Sequence, residues 1–218
     1  MKQTTSLKIA ILICSSIWAT TSLAQKSKEK NSVGVESFYF VGRSNIDIGL
    51  FIPTGALSKS LKPSPNISYY FGLQISRKYS IDLGASFFLP IKPTSLNFRK
   101  GDSVIVGKPI LSGTLGLWVS RIEKINKKIT WGNRIGSGVS ALQTDIKKND
   151  CKDTNDQFED ASTIFINFGT VLRKKMKNEK DIGIKLNYYF SPYNLFQQHL
   201  PANFGNQYVT LSISYGIN

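Results

Sequence analysis

The sequence predicts an all-β protein: an eight-stranded antiparallel up-and-down transmembrane β-barrel with its apolar face outward. Three observations carry this. Eight segments alternate apolar and polar residues with period two. The connections between them alternate short and long. No Asp, Glu, Lys or Arg interrupts the apolar face of any of the eight.

The segments follow in order. In 44–52 the apolar set is Ile46, Ile48, Leu50 and Ile52, against Asn45, Asp47 and Gly49. Residues 66–76 set Ile67, Tyr69, Phe71, Leu73 and Ile75 against Ser68, Tyr70, Gly72 and Gln74; 79–89 set Tyr79, Ile81, Leu83, Ala85, Phe87 and Leu89 against Ser80, Asp82, Gly84, Ser86 and Phe88. The fourth, 109–120, opposes Leu111, Leu115, Leu117 and Val119 to Ser112, Thr114, Gly116 and Trp118. The fifth, 129–141, is the weakest, because Asn133 and Ser137 share a face with Ile129, Trp131, Ile135 and Val139. Then come Ile164, Ile166, Phe168 and Leu172 opposite Asn167, Gly169 and Arg173, and Ile182, Ile184, Leu186, Tyr188 and Phe190 opposite Gly183, Lys185 and Asn187. The last runs Val209, Leu211, Ile213, Tyr215, Ile217 against Thr210, Ser212, Ser214 and Gly216. Such lengths suit tilted strands crossing hydrocarbon, and an even count suits a single-chain barrel.

Connections 77–78, 121–128 and 174–180 are short and charged, while 53–65, 90–108, 142–161 and 192–206 are long. Short turns on the periplasmic side and longer outer loops give this alternation; a soluble barrel has no reason to show it. A soluble barrel would also carry Lys and Glu outside, whereas the polar face here is mostly Gly, Ser, Thr and Asn. Ten glycines fall on that face, as a narrow interior holding Tyr70, Phe88, Trp118 and Tyr189 requires. Outward aromatics form two expected girdles: Tyr79, Trp131 and Tyr215 on the periplasmic side, and Tyr69, Phe87, Tyr188 and Phe190 on the outer side. Trp118 is the exception, placed inside near a strand end.

Upstream, Lys2 and Lys8 precede a short apolar run and Ser22-Leu23-Ala24, the anatomy of a signal peptide over 1–24. A lipoprotein reading would use Cys14, but Ile13 before it is bulky. Residues 25–43 are expected to be a periplasmic segment and 44–218 the barrel. Losing Lys2 and Lys8 takes the net charge from +14 to +12. Export argues against nucleic acid as the partner; an anionic lipid surface accounts for the basicity equally well. Cys151 is then the sole cysteine, so no internal disulfide is possible.

With the signal peptide and the C-terminal run Gln207 to Ile217, the chain resembles the small outer-membrane β-barrel domain family, and Ile48 to Gly55 looks like the first strand and loop of its porin-like members. The resemblance covers nearly the whole mature chain through diffuse motifs. It implies the cell outer membrane of a Gram-negative envelope, outer-membrane lipids and the barrel assembly machinery as partners, and little about activity. The chain departs from the family by ending in Asn218 where an aromatic is common.

Four polar-face charges, Asp47, Asp82, Arg134 and Lys185, fall on odd-numbered strands at similar depth, and we expect a structural network pairing the two carboxylates with the two cations. No catalytic, cofactor-binding or metal site is expected. His199 is the sole histidine and has no serine within two residues, which argues against a lipid-modifying enzyme. The acidic loop with Asp145, Asp150, Asp153, Asp156, Glu159 and Asp160 lacks the glycine and spacing of a calcium loop. Pro192-Tyr193 and Leu195-Phe196 could contact a surface partner or rest on lipid. The expected role is therefore structural or surface interaction by a monomer with a filled lumen; a lipid-modifying enzyme and a narrow pore are the alternatives.

Overall fold

The computed structural model describes residues 41–91, 95–100, 103–145, 160–176, 180–193 and 205–217. Expectations for the signal peptide, residues 25–40, Cys151, His199 and Leu195-Phe196 fall outside these residues. So does most of the acidic loop.

Strands β1 (Val41–Thr54), β2 (Ser64–Gln74), β3 (Tyr79–Phe88), β6 (Pro109–Lys124), β7 (Ile129–Thr144), β8 (Asp160–Lys175), β9 (Lys180–Phe190) and β10 (Gln207–Ile217) close one barrel. Each pairs antiparallel with its sequence neighbour among these eight, and β1 pairs with β10 from Ser44↔Ile217 to Thr54↔Gln207. Closure leaves no free sheet edge, so every strand can satisfy its backbone groups without water. A helical turn, α1 (Leu57–Ser60), and a hairpin of β4 (Leu96–Lys100) with β5 (Ser103–Gly107) occupy the first two long connections.

The short turns are tight. Ile75 N–H donates to Tyr79 O, Ile125 to Ile129 and Met176 to Lys180, at 2.8–3.0 Å. Asn126 Oδ1 also accepts from the backbone of Lys128 and Ile129 at 2.8 Å, which sets the 125–128 turn.

The alternation has the orientation the sequence predicts. Ile48, Ile213 and Ile184 are 60–65 % exposed, and Ile67, Leu83, Leu115 and Leu211 also point outward. Asn45, Asp47, Ser80, Asn167, Lys185 and Ser214 are buried inside. β7, the weakest segment, is as regular as the rest and runs to Thr144; outward-facing Asn133 accepts from Trp131 Nε1 at 3.1 Å.

Four expectations need correction. The barrel begins at Val41 and not at residue 44, so Arg43 belongs to β1 and not to a periplasmic segment. Trp118 is not near a strand end, because β6 continues to Lys124 and its indole fills the middle of the lumen. Tyr69 is not in an outer girdle: it pairs with Ile46, and its hydroxyl meets Ser44 Oγ at 3.2 Å, on the short-turn side. Tyr193 turns inward rather than outward, buried with its hydroxyl 2.7 Å from Ser140 Oγ.

Candidate functional site

The candidate site is the lumen, which is packed in layers. In the short-turn half lie the charges. Lys185 Nζ meets Asp47 Oδ2 at 2.5 Å, with both side chains buried. The same ammonium sits 4.1 Å from the centre of the Tyr70 ring. Arg43 Nη2 donates to Asp82 Oδ1 at 2.8 Å and to Ser80 Oγ at 2.8 Å, and Ser120 Oγ donates to Asp82 Oδ2 at 3.4 Å. Arg173 Nε lies 3.9 Å from Asp181 Oδ1.

Arg134 behaves differently. Its guanidinium stacks 4.6 Å from the Tyr70 centroid and 5.0 Å from Trp118, and its Nε and Nη2 have no hydrogen-bond partner. All four charges named from the sequence are therefore in the lumen, but the pairing differs from the expected one: Asp47 takes Lys185, while Asp82 takes Arg43. Arg134 rests on aromatic faces, an attraction worth about 2 kcal/mol when desolvated.

Arg43, Arg173 and Asp181 were absent from the expected network. Parity carries a signal for each: Arg43 shares a face with Asn45 and Asp47, Arg173 with Asn167 and Gly169, and Asp181 with Gly183 and Lys185. Extending the first and seventh alternations by two positions places Arg43 and Asp181 inside, and Arg173 already stood on the polar face of its segment.

A series of rings fills the middle. Tyr70 meets Trp118 edge-on at 5.1 Å, Trp118 lies 5.6 Å from Phe165, and Phe165 lies 5.5 Å from Tyr189. Trp118 Nε1 donates to Asn167 Oδ1 at 2.9 Å, and Asn167 Nδ2 donates to Tyr188 O at 2.9 Å, so the buried indole is satisfied. Glycine makes this room. A Cβ on Gly136 would strike the Trp118 indole, and one on Gly84 would strike the Tyr70 ring.

The outer half is an apolar plug. Tyr189 stacks on Tyr208 at 4.6 Å, Phe51 stacks on Phe88 at 3.8 Å, and Phe51 contacts Tyr208 at 4.8 Å. Leu57 on α1 and Leu61 just after it are buried with these rings beside Leu142 and Tyr193. Such an interior can hold its strands in register and resist collapse. Among the described residues it brings no group of three or more His, Cys, Asp or Glu together to hold a metal.

A closed eight-stranded barrel with an apolar exterior and a hydrogen-bonded, ion-paired interior is the transmembrane barrel class. No protein-family model matches the chain, and no curated protein does. Among solved structures it is similar to Neisserial surface protein A, at 10 % identity over 82 % of this chain and 96 % of that one, with a TM-score of 0.48. It is also similar to Ail, the attachment invasion locus protein of Yersinia pestis (13 % identity, 80 % and 96 % covered, TM-score 0.40). A third likeness is to a de novo designed transmembrane β-barrel (8 % identity, 81 % and 94 % covered, TM-score 0.40).

Proposed function

We propose that this chain is a monomeric outer-membrane barrel of a Gram-negative envelope, with a structural or surface-interaction role and no catalytic activity. The carrying observation is the exterior: Ile48, Leu83, Leu115, Ile184 and Ile213, on five different strands, expose large apolar side chains at a depth where water would make them a liability. Lipid removes that liability. Between the rims, the charges of the described residues are by contrast turned inward, where Arg43, Arg173 and Lys185 meet carboxylates and Arg134 meets aromatic rings.

The filled lumen favours this role over a pore, since rings and ion pairs occupy the space a solute would need. Outer-membrane lipids and the barrel assembly machinery are the partners this reading implies, and the long connections are the surface offered to a further partner. The test is heat-modifiable gel mobility of membrane-extracted protein, with protease accessibility of the 142–161 loop on intact cells. A folded, fast-migrating form and surface cleavage are expected; a water-soluble chain with no mobility shift would refute the reading.

A further inference from the structure

The charge of this protein is distributed unevenly between the two ends of the barrel. Segments 77–78, 121–128 and 174–180 carry ten Lys and Arg against two Glu, whereas the four long connections carry nine against seven Asp and Glu. The short turns thus hold an excess of eight positive charges and the long connections an excess of two.

Strand parity decides where that charge points. Arg121, Lys174 and Lys180 are exposed and lie on the outward face of their strands, continuing the apolar exterior rather than the lumen. Arg121 pairs with Tyr79 on β3 and Asn133 on β7; Lys174 pairs with Ile129 and Ile182; Lys180 pairs with Ile217. Lys180 Nζ lies 6.0 Å from the centre of the Tyr215 ring. Lys174 and Lys180 thus lie one outward position nearer the turns than Trp131 and Tyr215, while Arg121 stands level with Tyr79 and shares an exposed ion pair with Glu123 at 2.9 Å. Ile125 and Met176, 59 % and 48 % exposed, add apolar side chains to the basic turns. Aromatic rings at the hydrocarbon border, with basic side chains level with them or one step further out, match the vertical order of acyl chain, ester and phosphate in a phospholipid leaflet.

We propose that this collar is a binding surface for anionic glycerophospholipid headgroups of the periplasmic leaflet, with Arg121, Lys174 and Lys180 holding the phosphates. The proposal rests on the membrane reading above and adds a lipid preference to it. A soluble polyanion would be met by end-facing lysines; the outward parity of these three residues, contiguous with the lipid belt, selects a lipid.

The test uses the mature chain in vesicles, with Trp131 as reporter. Trp118 is enclosed in the lumen and supplies a constant background. Brominated-acyl phosphatidylglycerol is compared with brominated-acyl phosphatidylcholine at equal mole fraction. Wild type is expected to prefer the anionic lipid in its annulus by about threefold or more. The preference should fall toward one in the combined Arg121→Gln, Lys174→Gln, Lys180→Gln variant, and in wild type at about 0.5 M salt, where exposed charges are screened. Equal quenching by the two lipids in wild type overturns the proposal while leaving the membrane reading intact. So does a preference that survives both the substitutions and the salt. Quenching by neither lipid removes the membrane reading and the proposal with it.

Discussion

Lys185 and Asp47, 138 positions apart in sequence, meet inside the barrel across β10, whose Ser212 and Ser214 are their respective register partners. The pair bridges β9 and β1 across β10 with both side chains shielded from solvent, so its members depend on each other. Asp47→Ala should cost about 3–5 kcal/mol, because it leaves a buried ammonium uncompensated. The double replacement Asp47→Leu with Lys185→Met should recover most of that, as apolar substitutes for a buried ion pair commonly do. Urea unfolding in detergent micelles reads both; a double variant as unstable as the single one would contradict the coupling.

Arg134 and Arg43 are both buried in the lumen, yet their removal should differ. Arg43→Met strands the Asp82 carboxylate and should cost about 3–5 kcal/mol. Arg134→Met exchanges a cation lacking partners at Nε and Nη2 for a flexible apolar chain that still fills the space between Tyr70 and Trp118. The lost cation–π attraction and the relieved desolvation oppose each other, so the net change should stay within about 1 kcal/mol. The reverse ranking in the same unfolding assay would make Arg134 the effective counter-ion of Asp82.

That contrast marks how far the sequence could be read. Period-two alternation decides which face a residue occupies, and it placed Asp47, Asp82, Arg134 and Lys185 inside without any coordinates. Pairing depends on how strands stagger around a closed barrel, which no single strand encodes. Arg43 reaches Asp82 because β2 alone separates β1 from β3, with Gly72 lying in register between the two; a Cβ on Gly72 would strike the Asp82 carboxylate. The β4–β5 hairpin escaped for another reason. Its signal is the two-residue spacer Gly101-Asp102 between Lys100 and Ser103, with short apolar stretches on either side inside a long connection.

Trp118 and Gly136 are register partners on β6 and β7, and the indole lies over the position a Gly136 side chain would take. Gly136→Ala should therefore destabilise the barrel by displacing the indole and its bond to Asn167. In a Trp118→Leu background the same substitution should be tolerated. A double-mutant cycle should return an interaction of about 0.5–3 kcal/mol, the range for contacting residues. Strict additivity would mean that backbone effects at Gly136, and not the ring, exclude a side chain.

The outward face offers a depth-dependent test. Leu83→Lys or Ile184→Lys, in the middle of their strands, should cost about 2–4 kcal/mol in a bilayer, while Ile217→Lys at the short-turn rim should cost about 0–1 kcal/mol. In a water-exposed barrel all three would be nearly neutral. Refolding yields in vesicles across a urea series separate these patterns, and uniform tolerance would argue against hydrocarbon contact.

Closure of the lumen has two layers, and they make different predictions for conductance. The plug of Phe51, Phe88 and Tyr208 closes the outer half, but Trp118, Phe165 and Tyr70 close the middle independently. Wild type should show no large steady conductance across a planar bilayer. The double truncation Phe51→Ala with Tyr208→Ala should remain closed, because the inner rings are held by neighbours the outer truncation does not touch: Asn167 on the indole and Arg134 between two ring faces. Adding Trp118→Ala should admit ions, since it removes the largest fully buried side chain of the barrel. Steady current through wild type would make the packed interior an incomplete account of the protein. Current after the outer truncation alone would assign the seal to the plug and leave the inner layer permeable.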